Sequence, residues 1–380
     1  MGEQNLWEVM SVTLNKIKPF LAMISLQFGY AGMYIITLVS FKRGFSHWIF
    51  VVYRHAVATL VFAPFAYFLE KKIRPKMTKS IFFKILVLAF LEPVLDQNLY
   101  GVAIQYTSAT FAAASVNVLP SVTFVMAVIF RMEKVNLKKT SSLAKVIGTL
   151  ITVTGAMVMT LYKGPPIGFL HGGGADQKSA GSSADQHWVS GTIMMLSCIV
   201  GWAAFFILQN KTLKEYPAAL SLTSLVCVMG TLEGGVVAVV MERRKSAWLI
   251  GFDSRLLAAV YSGIVCSGLA YYLQSVVNKT RGPVFVTAFS PLSMIITAIL
   301  SAIILAEQVH LGSLIGAVII VSGLYSVVWG KSREKLGWDK ASPPYDEGKA
   351  QELPVVSADM VQISNNPKFN NDKAFLQHDP

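Results

Sequence analysis

Residues 107–135 read TSATFAAASVNVLPSVTFVMAVIFRMEKV, and residues 281–309 read RGPVFVTAFSPLSMIITAILSAIILAEQV. Thr107–Val135 lies on Arg281–Val309 without a gap at an offset of 174, so that Glu133 meets Glu307 where each apolar run ends. A second block follows in the same order. Lys145–Lys163 lies on Ser313–Lys331 at an offset of 168, bringing Gly148 to Gly316, Gly155 to Gly323 and Lys163 to Lys331. The first copy carries six extra residues between the blocks, and near the start of each copy Gly29-Tyr30-Ala31 meets Gly201-Trp202-Ala203. Each match alone is weak; in order, they describe one unit written twice.

What that unit is follows from its apolar runs. A helix rises about 1.5 Å per residue, so roughly 20 apolar residues cross roughly 30 Å of hydrocarbon. Runs of that length lie near 20–40, 47–69, 80–102, 107–130, 142–162, 188–210, 217–240, 256–278, 283–306 and 309–329. Five fall in each unit. Five is odd, so the second unit enters the membrane from the opposite side. The expected fold is an all-α polytopic membrane protein, ten transmembrane helices in two inverted five-helix repeats. Its expected parts are an N-terminal cytoplasmic segment 1–19, a first repeat 20–162, an external linker 163–187, a second repeat 188–330 and a cytoplasmic tail 331–380. The linker is rich in Gly, Ser and Ala, and the tail is polar with mixed charge, so neither has much to bury.

Composition agrees. Of 380 residues, 53% are apolar and only 14% charged, against about 25% charged in a soluble domain. That leaves too little charge to coat a soluble protein of this size. The net charge of +12 does not point to nucleic acid, because residues 331–380 carry seven Lys/Arg against eight Asp/Glu. The excess lies in short clusters between the apolar runs, where it sets topology. With the N-terminus inside, the inner side receives 19 Lys/Arg and the outer side 8. Both termini are therefore expected in the cytoplasm, which also places the sequons at Asn210 and Asn278 inside. Cys198, Cys227 and Cys266 all fall within apolar runs and read as small packing residues.

The function classes narrow accordingly. Inverted repeats with a midplane site are a recurring transporter plan, since two pseudo-symmetric arrangements give outward and inward access. A duplicated scaffold or a transport-dead receptor is the structural alternative. An enzyme finds little support: the six histidines form no H-x-x-H or H-x-x-x-H pair, and no loop is large enough for a catalytic domain. No nucleotide-binding motif suggests ATP use, and no cofactor or metal site is expected.

The sequence also resembles a known family. Its carrying motifs are Leu26-Gln27-Phe28-Gly29-Tyr30-Ala31-Gly32, Tyr53-Arg54-His55, Pro64-Phe65-Ala66-Tyr67-Phe68, Asp96-Gln97-Asn98-Leu99-Tyr100 and Tyr106-Thr107-Ser108-Ala109-Thr110-Phe111. They continue with Glu133-Lys134-Val135, Arg281-Gly282-Pro283-Val284-Phe285-Val286 and the run from Leu324 to Lys331. Together they resemble the plant nodulin-like EamA-domain members of the drug/metabolite transporter superfamily, from about Lys18 to Lys331. They look most like the UMAMIT amino-acid exporters; the related WALLS ARE THIN proteins, linked to auxin, have a less similar third span. The resemblance implies facilitated, often bidirectional export of amino acids at the plasma membrane, with the vacuolar membrane second. Auxin or another organic acid is the alternative substrate. The partners expected are a small-molecule substrate and the lipid bilayer.

Few ionisable groups lie inside the runs: Arg54, His55, Glu92, Asp96 and Glu233. Such groups are costly in hydrocarbon and face a cavity or a partner. On an α-helix Glu92, Asp96 and Tyr100 share a face at i, i+4 and i+8, and Pro93 in the same turn frees a carbonyl. Arg54 lies about 12 Å from the outer end of its span and Asp96 about 9 Å from the outer end of its own. The similar depths predict that Arg54 pairs with Asp96 or Glu92, for charge or proton coupling or as a purely structural ion pair. Pro120 and Pro291 are expected to break their helices, exposing backbone groups for a zwitterion; simple helix packing is the alternative reading. Gln97, Asn98, Asn117 and Gln274 offer neutral hydrogen bonds, and Tyr30, Trp202, Tyr271 and Phe289 could wall a cavity or only pack. Glu233, among Gly230, Gly234 and Gly235, is left open between a buried neutral acid and a proton site.

Overall fold

The computed structural model describes residues 2–106, 115–133, 138–162, 165, 188–304 and 311–341. Ser108, Thr110, Phe111, Lys163 and Glu307, with most of the linker and tail, lie outside the described residues. Those described are helical, with no strand among them.

The described residues group into ten helical units in chain order, where successive helical segments that continue one another are taken as one. They are α1 (Gly2–Lys42), α2 (His47–Leu69), α3 (Lys79–Ala89, Phe90–Asp96 and Gln97–Tyr106 in succession), α4 (Leu119–Ile129) and α5 (Thr140–Leu161). Then come α6 (Trp188–Glu215), α7 (Ala219–Met241), α8 (Ser254–Tyr261, Ser262–Leu269 and Ala270–Arg281), α9 (Pro283–Ala288 and Ser290–Ile304) and α10 (Leu311–Ala341). Eight described helices are long and apolar enough to cross a membrane; α3 and α4 stand where the third and fourth crossings were expected.

Local chemistry sets the breaks. α1 ends at Gly44, whose φ of +84° is a left-handed conformation open to glycine, and its amide closes on the Phe41 carbonyl at 2.9 Å. Thr78 caps α3, its hydroxyl accepting from the Ile81 amide at 3.3 Å. Gly282, at φ +85°, turns the chain from α8 into α9, and Pro283 starts the new helix where no amide is needed. α9 is interrupted at Phe289, immediately before Ser290 and Pro291, and a turn at Asn117–Val118 precedes Pro120 of α4. Both prolines thus stand in the first turn after a break.

Two stretches depart from α geometry. Phe90–Asp96 of α3 and Ser262–Leu269 of α8 are π-helical. In α3 the cause is Pro93, which has no amide hydrogen and whose ring crowds the preceding turn. In α8 glycines admit close neighbours: a Cβ on Gly263 would lie 2.6 Å from the Arg54 carbonyl, and one on Gly268 would collide with the Phe62 ring.

The core lies between α1, α2, α3, α4, α6, α7, α8 and α9, around Leu26, Leu88, Leu119, Phe205, Phe206, Tyr271 and Phe285. α2 packs along α7. Glu70, at the end of α2, accepts from the backbone amides of Leu220 and Ser221 at 3.0 and 2.7 Å, so it caps a helix whose own N-cap, Ala218, cannot. α5 and α10 meet through small residues, with backbone against backbone at Gly148, Gly155 and Gly323. At one end of this seam Glu133 is paired with Lys145 at 3.0 Å and with Lys331; Lys145 is fully buried. Large apolar side chains such as Leu60, Phe68, Leu161 and Val236 remain exposed on the outside of the bundle, the surface expected of a chain solvated by lipid tails.

Candidate functional site

The buried polar centre is assembled from α2, α3, α6 and α8. Arg54 and His55 come from the middle of α2, Glu92 and Asp96 from the π-helical stretch of α3, and Gln97 from the turn after it. Cys198 comes from α6, and Ser267, Tyr271 and Gln274 from α8. All of these side chains are buried or nearly so.

The bonds among them run as a chain. Arg54 Nε donates to Ser267 Oγ at 2.8 Å. His55 Nδ1 meets the Val51 carbonyl at 2.7 Å, so it carries the proton and leaves Nε2 as an acceptor, 3.5 Å from both Tyr271 Oη and Ser267 Oγ. Gln97 Nε2 donates to Glu92 Oε1 at 3.0 Å and to Tyr271 Oη at 3.3 Å. Beside this chain Gln274 donates to Tyr30 Oη at 2.9 Å, and Phe205 packs on Tyr271 with ring centroids 5.8 Å apart.

The expected ion pair is not formed. No carboxylate lies within 4 Å of Arg54 among the described residues; its Nε is taken by Ser267 and its terminal nitrogens make no hydrogen bond there. Arg54 is an electrostatic neighbour of both Glu92 and Asp96 without touching either. The reason is the π-helix. Its wider turn sets Glu92 beside Gln97, five residues on, and breaks the single face on which Glu92, Asp96 and Tyr100 were expected. Asp96 instead faces α6, where the Cys198 thiol donates to its carboxylate.

Several buried polar groups are left short of partners, Asn98 Oδ1 among them. Glu92 Oε2 and Gln97 Oε1 are buried acceptors with nothing bonded to them, as are both oxygens of Glu233 on α7. Buried acceptors left unpaired cost about 1–3 kcal/mol each, so a centre holding two beside a free guanidinium edge suits a ligand bringing its own donors and acceptors.

Other expected residues stand apart. Asn98 donates to the Val94 carbonyl at 2.8 Å. Asn117 points at Met294 Sδ on α9, 3.1 Å away. Phe289 packs with Phe285 and Phe20, and Trp202 is stacked on Phe206. Among the described residues Asn98, Trp202 and Phe289 make no hydrogen bond to the Arg54 chain. Sequence reasoning missed Ser267, whose only signal is its place beside Cys266 and Gly268 in an apolar span, and it read Cys198 as packing alone.

A bundle of helices with an apolar exterior and a buried polar centre is the build of a multi-pass membrane protein. Comparison with known proteins agrees. The EamA-like transporter family matches residues 17–161 and again 189–329, and the chain belongs to that family, in its plant WAT1-related group. Three WAT1-related proteins of Arabidopsis thaliana are similar to it: two are 58% identical, covering 90% of this chain and 90% and 92% of their own, and a third is 57% identical, covering 91% and 93%. A protein of known crystal structure aligns over 82% of this chain and 98% of its own, with a TM-score of 0.63 at 15% identity; it shares the fold. The protein is thus a plant multi-pass membrane transporter of the drug/metabolite class.

Proposed function

We propose that this chain is a secondary transporter of amino acids, working by alternating access between two inverted five-helix repeats, residues 20–162 and 188–330. The observation that carries the reading is the centre itself. A free guanidinium edge on Arg54 suits a substrate carboxylate. The unpaired oxygens of Glu92 and Gln97 suit an ammonium group. A zwitterion supplies both. Side-chain selection would be loose, since the walls offered by Tyr30, Phe205 and Tyr271 are aromatic and fix no further charge. The resemblance to exporters supports the plasma membrane, with the vacuolar membrane as the other site, and the excess of Lys/Arg on one side supports both termini in the cytoplasm. The driving force is the substrate gradient or a proton gradient, the latter through Glu92 and Asp96.

An aromatic organic acid such as auxin is the second reading. It is favoured by the same free edge of Arg54 and by aromatic rings nearby, and it leaves the ammonium side empty.

The test is uptake and efflux of labelled glutamine in proteoliposomes, with and without an imposed pH gradient. Glutamine flux that other amino acids compete with is expected. Flux of indole-3-acetate with none of glutamine would transfer the assignment to organic acids. Where the pH gradient accelerates flux, Asp96→Asn is expected to abolish that acceleration; an Asp96→Asn carrier that keeps both flux and its pH dependence has no coupling carboxylate at this position.

A further inference from the structure

Gln97 and Tyr271, which touch through the bond described above, are 174 positions apart. That is the offset which superposes the two sequence units from Thr107 to Val135. The same register runs back through α3 and α8. Shifted by 174, the π-helical stretch Phe90–Asp96 falls on residues 264–270, and that of α8 is Ser262–Leu269. Leu95, Leu99 and Val102 then meet Leu269, Leu273 and Val276. In a two-fold arrangement, if one residue touches another's counterpart the reverse contact also exists; a residue touching its own counterpart stands on the axis.

The α5–α10 seam supplies the reverse contact independently. There the offset is 168, so Thr152 corresponds to Ile320 and Gly155 to Gly323. A Cβ on Gly155 would lie 2.8 Å from the Ile320 amide nitrogen, and one on Gly323 would lie 2.5 Å from the Thr152 amide nitrogen. The two contacts are reciprocal, as a two-fold requires.

We infer that the axis relating the two repeats passes through the Gln97–Tyr271 contact, and that this pair is the part of the binding site that faces each side of the membrane in turn. The inference rests on the alternating-access reading and not on the identity of the substrate. Rocking about an in-plane axis exchanges the surroundings of every off-axis pair. A pair on the axis keeps its depth, so a ligand entering from either side meets the same two groups. Gln97 is equipped for that: its amide nitrogen holds Glu92 and Tyr271, while its buried oxygen has no partner. Gln97 is therefore a binding residue, and Glu92 and Ser267 are groups whose neighbours change.

The experiment is labelling of Gln97→Cys in the full-length protein, in vesicles of known sidedness, with a membrane-impermeant thiol reagent applied to one side and then the other. The parent, whose three cysteines are buried, gives the background. Labelling from both sides at roughly tenfold above background or more is expected. Labelling from one side only, or from neither, overturns the inference; Tyr271→Cys provides the same readout should Gln97→Cys not fold. Tyr271→Phe gives a second measure. Losing one hydrogen bond of about 1 kcal/mol raises KM about fivefold, and on the axis the rise is equal for influx and efflux; a rise in one direction alone refutes the placement. Two-sided labelling without glutamine flux would keep the axis and remove the amino-acid assignment. Glutamine flux with one-sided labelling would do the reverse.

Discussion

Arg54→Gln is expected to lower transport at least a hundredfold while the protein remains folded. The guanidinium is buried on α2, with Nε bound to Ser267 and its terminal nitrogens free for a ligand. Two charge-assisted hydrogen bonds to a carboxylate are together worth about 3–6 kcal/mol, and each 1.4 kcal/mol is about a factor of ten. The neutral amide can still donate to Ser267, so the fold survives. It also leaves Glu92 and Asp96 without their cationic neighbour. Arg54→Lys keeps the charge but presents a point donor instead of a planar fork, so its flux should fall between the two. Initial rates over a substrate range in proteoliposomes check both variants. An Arg54→Gln carrier with unchanged KM and maximal rate would show that the guanidinium serves packing alone.

Glu133→Gln is expected to destabilise the protein by about 3–5 kcal/mol, the cost of removing one partner from a buried ion pair. Glu133 faces Lys145, which is fully buried, and Lys331 at the end of α10. The loss should appear as a lower midpoint of thermal unfolding in detergent. Lys145→Met combined with Glu133→Gln should recover much of it, because replacing both buried charges is often close to neutral. A single variant that melts with the parent would mean that water or another group already compensates Lys145. The effect is kept distinct from transport by measuring flux on the surviving folded fraction.

The fold was legible because its two strongest signals are long. Apolar runs of helix length need no packing information to be read, and a repeat aligned over blocks at 174 and 168 fixes how the copies correspond. Arg54, Glu92 and Gln97 were legible as buried polar groups, since hydrocarbon tolerates few of them; Tyr271 was read only as an aromatic wall, and its hydroxyl's role was not. The partners of these groups were not legible either. An α-helical period puts Glu92 with Asp96, and only the π-helical turn at Pro93 moves it to Gln97. Depth along two helices predicted an Arg54 ion pair, but depth says nothing of rotation about the helix axis, and rotation gives Arg54 to Ser267. Glu70 was invisible for a different reason: its role depends on the start of a helix 150 positions away.

The α5–α10 seam has a consequence for variation. At Gly148, Gly155 and Gly323 there is no room for a methyl group, because backbone of the facing helix occupies the space a Cβ would take. Alleles that change these codons to alanine, ordinarily the mildest replacement, should be as damaging as those that change Arg54. A breeder ranking missense variants of this gene by chemical similarity would misplace them, and one ranking by the distance between the two backbones would not.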